Sequence, residues 1–159
     1  MSPKPPYFDL VWQFMRRNPT FNPVMSPQVI ANLGAVRLAQ QNYAEAGTLL
    51  REGLRLTEKH DLDAGWRFYV MNLLGANLAG QKNYAEAEPL LIESYQGLQQ
   101  CQASVSPHLN APRRITESLE RLVKLYNDWG RPAQAAEWEQ KLATFQKAEK
   151  ATEKNGAEP

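Results

Sequence analysis

The chain is poor in the residues that most site chemistry requires. Its 159 residues hold one cysteine, Cys101, and two histidines, His60 and His108. One thiol cannot close an internal disulfide, and two separate imidazoles with that thiol cannot supply the ligands of a metal site. Valine and isoleucine number 10 together, against 38 for leucine and alanine, and no segment alternates apolar and polar residues for long. That usage excludes a sheet protein and favours helices. Neither sign of charge dominates: 18 basic residues face 17 acidic ones, a net charge of +1. Such balance lacks the basic footprint that nucleic acid or an anionic membrane demands. The nine glycines are scattered singly, so no glycine-rich phosphate loop exists. The N-terminal stretch MSPKPPYFDLVWQFMRR has neither a signal-peptide layout nor the length to span a bilayer. A cytoplasmic protein without a cofactor is expected.

What is present is a repeat. Residues 33–50, LGAVRLAQQNYAEAGTLL, and residues 74–91, LGANLAGQKNYAEAEPLL, agree at 11 of 18 positions with no gap, at a period of 41. A weaker third copy begins at Leu122, 48 residues after Leu74, and its extra residues fit the Ser- and Pro-containing stretch from Gln102 to Asn110. Regular self-similarity of this length marks a helical or other stacked repeat.

Each copy reads as two helices. Ser26-Pro27 is a start signal for the first, and Ile30, Leu33, Gly34, Arg37 and Leu38 follow at helical spacing. Asn42-Tyr43-Ala44-Glu45 and Asn83-Tyr84-Ala85-Glu86 both predict capped starts, in which the asparagine accepts from the backbone and the glutamate reaches back. Gly130-Arg131-Pro132 serves the third copy with a glycine stop and a proline start. Gly34 is expected to face Ala46, and Gly75 to face Ala87, so that paired helices approach closely. One hairpin alone cannot bury its apolar stripe, so neighbours must stack.

The residues Ile30-x2-Leu33-Gly34…Ala46-x3-Leu50 and Met71-x2-Leu74-Gly75…Ala87-x3-Leu91 resemble the tetratricopeptide repeat (TPR). In the third copy, Leu119-x2-Leu122-Val123-x2-Tyr126…Ala135-x3-Glu139, the glycine and the last apolar position are lost, and Trp138 is expected to pack in place of Glu139. The long periods, and the missing terminal proline of the 34-residue form, resemble the long-helix subtype of kinesin light chains and of many bacterial repeat proteins. From Trp66 to Leu142 the sequence is also similar to repeat arrays C-terminal to some bacterial serine/threonine protein kinases. The kinase motifs themselves are missing: no phosphate loop, His-Arg-Asp or Asp-Phe-Gly.

The resemblance implies an all-α fold, a right-handed α-α superhelix (solenoid) of about three TPR-like hairpins. The expected layout is an N-terminal segment over 1–26 with a short capping helix from Asp9 to Arg17. The repeat domain then spans 27–148, with repeats near 27–60, 62–102 and 112–148, and a flexible tail occupies 149–159. The function implied is a protein–protein interaction scaffold, not an enzyme, that binds a protein, peptide or partner helix on the concave face. That face is lined by the first helix of each pair: Ala31, Ala35 and Leu38, then Tyr69, Asn72, Ala76 and Ala79, then Glu117, Glu120, Lys124 and Asn127. Tyr69 and Asn72 are the expected central contacts, because a side-chain amide can both donate to and accept from an extended backbone. Glu120 and Lys124 would select charge.

The competing expectation is a self-assembling structural module, a homodimer through the apolar set Trp138, Leu142 and Phe145, with Phe8, Leu10, Val11, Trp12 and Met15 capping the other end. Other constellations have structural accounts. Glu86/Glu88 and Asp61/Asp63 sit at helix starts, and Arg113-Arg114 is a solvent-facing pair. Trp66, Phe68 and Tyr69 cannot all share one helical stripe, so one or two must look at a neighbouring helix, the groove or solvent.

Overall fold

A computed structural model describes residues 27–59, 64–102 and 109–155. Six helices occupy them: α1 Pro27–Ala39, α2 Tyr43–Lys59, α3 Ala64–Gly80, α4 Tyr84–Cys101, α5 Ala111–Asp128 and α6 Pro132–Asn155. No strand occurs among the described residues. The helices pack as the hairpins α1/α2, α3/α4 and α5/α6, and α2 and α4 pack onto the first helix of the next hairpin. The first helices also touch in order, α1 on α3 and α3 on α5, which makes them one continuous layer. His60, Asp61, Asp63, His108, Ser26 and the expected N-terminal cap lie outside the described residues.

The hairpin turns are the same device three times. Gln41, Lys82 and Gly130 adopt positive φ, at 58°, 63° and 73°. Around each, the amide three residues past the helix bonds back five residues, Asn42 to Arg37, Asn83 to Leu78 and Arg131 to Tyr126, at 2.8–2.9 Å. This is the Schellman closure, which satisfies carbonyls at a helix C-terminus. The sequence shows a glycine only in the third turn. In the other two, Gln41 and Lys82 carry a left-handed conformation that costs an L-residue about 1–2 kcal/mol, and the closing hydrogen bonds offset it. The caps on the following helices are less uniform than expected. Glu45 donates its backbone N–H to Asn42 Oδ1 at 3.3 Å, and the Asn42 amide donates to the Glu45 carboxylate at 2.9 Å. Asn83 makes no side-chain cap bond.

Close approach within the hairpins rests on glycine against leucine. A Cβ on Gly34 would lie 2.6 Å from Leu50 Cδ2, and one on Gly75 would lie 2.8 Å from Leu91 Cγ. The expected facing partners Ala46 and Ala87 are fully buried, yet the leucines one turn further on are what the missing side chains admit. Helix α3 is buried almost all round, with Trp66, Tyr69, Val70, Leu73, Leu74 and Leu78 in the main core. A helix covered on every side has no need of a polar face, which explains why its sequence shows little amphipathic period. Helix α6 runs to Asn155, past Ala148, where a tail was expected. Its Ala-, Glu- and Lys-rich end has high helix propensity and meets no breaker before Gly156.

One buried group is out of keeping with this core. Asn77 of α3 is 0% exposed, and neither its amide nitrogen nor its oxygen has a hydrogen-bond partner in the protein. The corresponding residues of the other repeats are Val36 and Leu125, both apolar. Burial of an unpaired amide costs about 1–3 kcal/mol. Asn77→Leu is therefore expected to stabilise the protein by about 1 kcal/mol, read as a higher urea midpoint with an unchanged m-value. A lower midpoint would show that the amide contributes a bond that leucine cannot replace.

Candidate functional site

The layer of first helices forms the floor and walls of an open cleft of about 690 Å³. Leu38 and Ala39 at the end of α1 make one wall, and Tyr43 at the start of α2 extends it. Ala76, Ala79 and Gly80 of α3 make the floor, where small side chains leave the space open. Arg121, Lys124, Leu125 and Asp128 of α5 make the opposite wall, and Lys82 and Tyr84 complete the rim. Gly80 has a local role here: a Cβ on it would meet the Tyr43 ring at 2.4 Å, so glycine lets the tyrosine lean across the end of α3.

Of the eleven residues expected on the concave face, Leu38, Ala76, Ala79 and Lys124 line the cleft, while Ala31 is fully buried in the core. Glu120 and Asn127 are exposed on α5 but are not among its lining residues. Tyr69 and Asn72 are buried, at 3% and 0% exposure, and this corrects their expected role as ligand contacts. The reason is the stacking of α5 on α3. Arg114 lays its guanidinium 3.9 Å from the Tyr69 ring centroid, and Trp66 meets the same ring edge-on at 5.9 Å. Burial pushes the Tyr69 hydroxyl pKa up, against the opposing pull of the nearby arginines. Phe68 points elsewhere, into the gap left by Gly97 on α4.

Asn72 is a hub. Its amide nitrogen donates to Ser94 Oγ at 2.8 Å and to Ser118 Oγ at 2.6 Å, while its carbonyl oxygen accepts from Arg121 Nη1. Ser94 in turn donates to the Leu91 carbonyl at 2.9 Å. One side chain thus ties α3 to α4 and α5, with no donor left for a bound peptide. The residue that reaches the groove in its place is Arg121, which reading by repeat position missed because its side chain depends on Asn72. Its signal in the sequence, a lone arginine one residue past Glu120, is indistinguishable from a surface charge.

Around Glu117 of α5 three arginines gather: Arg113 at 2.9 Å, Arg114 at 3.0 Å and Arg121 at 3.9 Å. Burial alone would raise the Glu117 pKa, but the hydrogen bond and charge of Arg114, with Arg121 and Arg113, outweigh it and hold the carboxyl below its ordinary value. Both arginines thus pair with Glu117, Arg114 largely buried and Arg113 still facing solvent as expected. Burial also lowers the Arg121 pKa, though a guanidinium stays a cation through the working pH range.

The expected self-association set is partly covered. Trp138 is 8% exposed, crosses Tyr95 edge-on at 5.4 Å and carries the Lys141 ammonium 3.8 Å from its ring centroid. Leu142 and Phe145 are half-buried against the same core. Glu88 accepts from the Tyr126 hydroxyl at 2.6 Å and lies 4.0 Å from Arg131. The Tyr126 pKa is pushed up to about 12 by burial and by that carboxylate. Cys101 is half-buried near the Leu98 carbonyl. Among the described residues no three His, Cys, Asp or Glu side chains are grouped to hold a metal, and no helix is long and apolar enough to cross a membrane.

Residues 26–100 match the family model described as tetratricopeptide repeat. No curated protein matches the chain. The match covers the first two hairpins, and the third, outside it, repeats their Schellman turn at Gly130. The described helices form an all-α, tetratricopeptide-like helical repeat array.

Proposed function

We propose that the chain is a protein-interaction scaffold that holds an extended peptide or a partner helix in the concave groove between α1, α3 and α5. The observation that carries this reading is the cleft of about 690 Å³, within the range of roughly 300–1,000 Å³ that binding sites occupy. Its floor is small and apolar, its rim carries Tyr43, Tyr84 and Lys82, and its other charges stand on the α5 wall. Tetratricopeptide repeats in general mediate protein–protein contacts, and binding of this kind needs no catalytic group. Helices of 17 and 18 residues in the first two repeats, with the 41-residue period, support the long-helix, kinesin-light-chain-like subtype. An origin as the accessory part of a kinase-linked array rests on the sequence similarity over Trp66 to Leu142. Self-assembly through Trp138, Leu142 and Phe145 is the weaker reading, since Tyr95 and Lys141 already cover much of Trp138.

The test is selection of a phage-displayed library of random dodecapeptides on the immobilised full chain and on an Ala76→Trp variant, whose indole fills the floor. Wild type should enrich defined sequences, and the variant should lose their binding by about tenfold or more. Equal binding to both proteins would place the interaction elsewhere.

A further inference from the structure

The cations around the groove are not equivalent. Lys124 spends its ammonium on Asp128 at 2.8 Å, and Arg113 and Arg114 spend theirs on Glu117 at 2.9 and 3.0 Å. Arg121 is held from behind instead. Its Nη1 donates to Asn72, a residue fully buried and pinned on both sides by Ser94 and Ser118. Its contact with Glu117, at 3.9 Å, is too long for a hydrogen bond. A guanidinium has five N–H donors in a rigid fork, so one bond to Asn72 leaves a cation of fixed position with most of its donors unspent. Charge in the lining points the same way: Lys82, Arg121 and Lys124 stand against Asp128 alone.

We infer that Arg121 is the specificity-determining residue of the groove, and that the occupant presents one side-chain carboxylate to it, flanked by apolar residues seated on Leu38, Ala76, Ala79 and Leu125. The inference rests on the groove being the peptide site, and it adds the chemistry of the peptide. A charged, fork-like donor that is already in place selects a planar carboxylate, and the neutral amide of the same shape would leave the cation in a partly desolvated cleft with only its long contact to Glu117. A phosphate fits less well at Arg121. It brings about −1.5 to −2 charges, and Asp128 and Glu117 stand close by to repel the second one.

The same dodecapeptide library, selected on wild type, Arg121→Gln, Arg121→Lys and Ala76→Trp, decides the matter. Wild type should enrich one aspartate or glutamate within an apolar frame. In the synthesised winner, acid to amide should weaken binding by about tenfold or more, and acid to phosphoserine should weaken it too. Arg121→Gln, which can still donate to Asn72, should remove the preference for acid over amide, and Arg121→Lys should keep part of it. Thermal melts of each variant by circular dichroism establish that it is folded. Should Arg121→Gln fail to fold, the acid-to-amide comparison on wild type and Arg121→Lys still decides. Apolar winners without an acid, lost in Ala76→Trp, would overturn the carboxylate and leave the groove standing. A phosphoserine peptide that binds more tightly than the acid would also overturn it. If no sequences are enriched, or if the winners bind Ala76→Trp unchanged, the groove reading falls and this inference falls with it.

Discussion

Asn72→Leu is expected to lower the unfolding free energy by about 3 kcal/mol. Leucine is close to asparagine in size, so the loss is not one of volume. It comes from the three groups left behind: Ser94 Oγ and Ser118 Oγ lose their donor, and Arg121 loses its acceptor. The two serines are fully buried, and water cannot reach them without opening the packing of α3 against α4 and α5. Ser94→Ala and Ser118→Ala should each cost less, about 1–2 kcal/mol, because each leaves the Asn72 amide its other serine as acceptor, with Ser94→Ala the costlier since it also gives up the bond to the Leu91 carbonyl. Urea unfolding of the single and double variants measures the coupling. If Asn72→Leu costs no more than either serine variant, the hub is not a unit.

Leu91→Ala should cost about 2–5 kcal/mol, since Leu91 is fully buried where α4 crosses α3 at Gly75. The more telling result is a reversal of sign at Gly75. In a helix interior alanine is favoured over glycine by about 1 kcal/mol. In the native hairpin, however, the new Cβ would lie 2.8 Å from Leu91 Cγ and 2.9 Å from Cδ2, so Gly75→Ala should destabilise by about 1–3 kcal/mol. In the Leu91→Ala background the obstruction is gone, and the same substitution should stabilise by up to about 1 kcal/mol. Denaturant melts of the four proteins form the cycle. A Gly75→Ala effect of one sign in both backgrounds would mean that Leu91 does not set the hairpin spacing.

Most of the fold was legible because it depends on local and periodic features. The 41-residue repeat located both members of the first two hairpins, and the glycine at 130 with the proline at 132 located the third turn. Among the described residues, the helix end that departs most from expectation lies where no punctuation exists, between Ala148 and Asn155. The candidate site was legible in part. Ala76 and Lys124 line the cleft where the repeat register put them, but the rule is not general: Ala31 of the first helix, expected on the same face, is fully buried. Tyr69 and Asn72 could not be placed, since a polar residue in an otherwise apolar helix reads the same whether it waits for a ligand or binds a buried neighbour. Ser94 and Ser118 gave no sign in the sequence that they were those neighbours.

The sequence by itself determined a stack of helix hairpins, because the 41-residue period, the helix start and stop signals and the small residues at Gly34 and Gly75 all act within one repeat or between adjacent ones. The tertiary structure decided which polar residues face solvent. Those assignments depend on contacts across 22, 46 and 49 residues of chain, from Asn72 to Ser94, Ser118 and Arg121. Burial of an amide is tolerable only when all its partners arrive together. That condition is met by three helices in register, and no single stretch of sequence displays it.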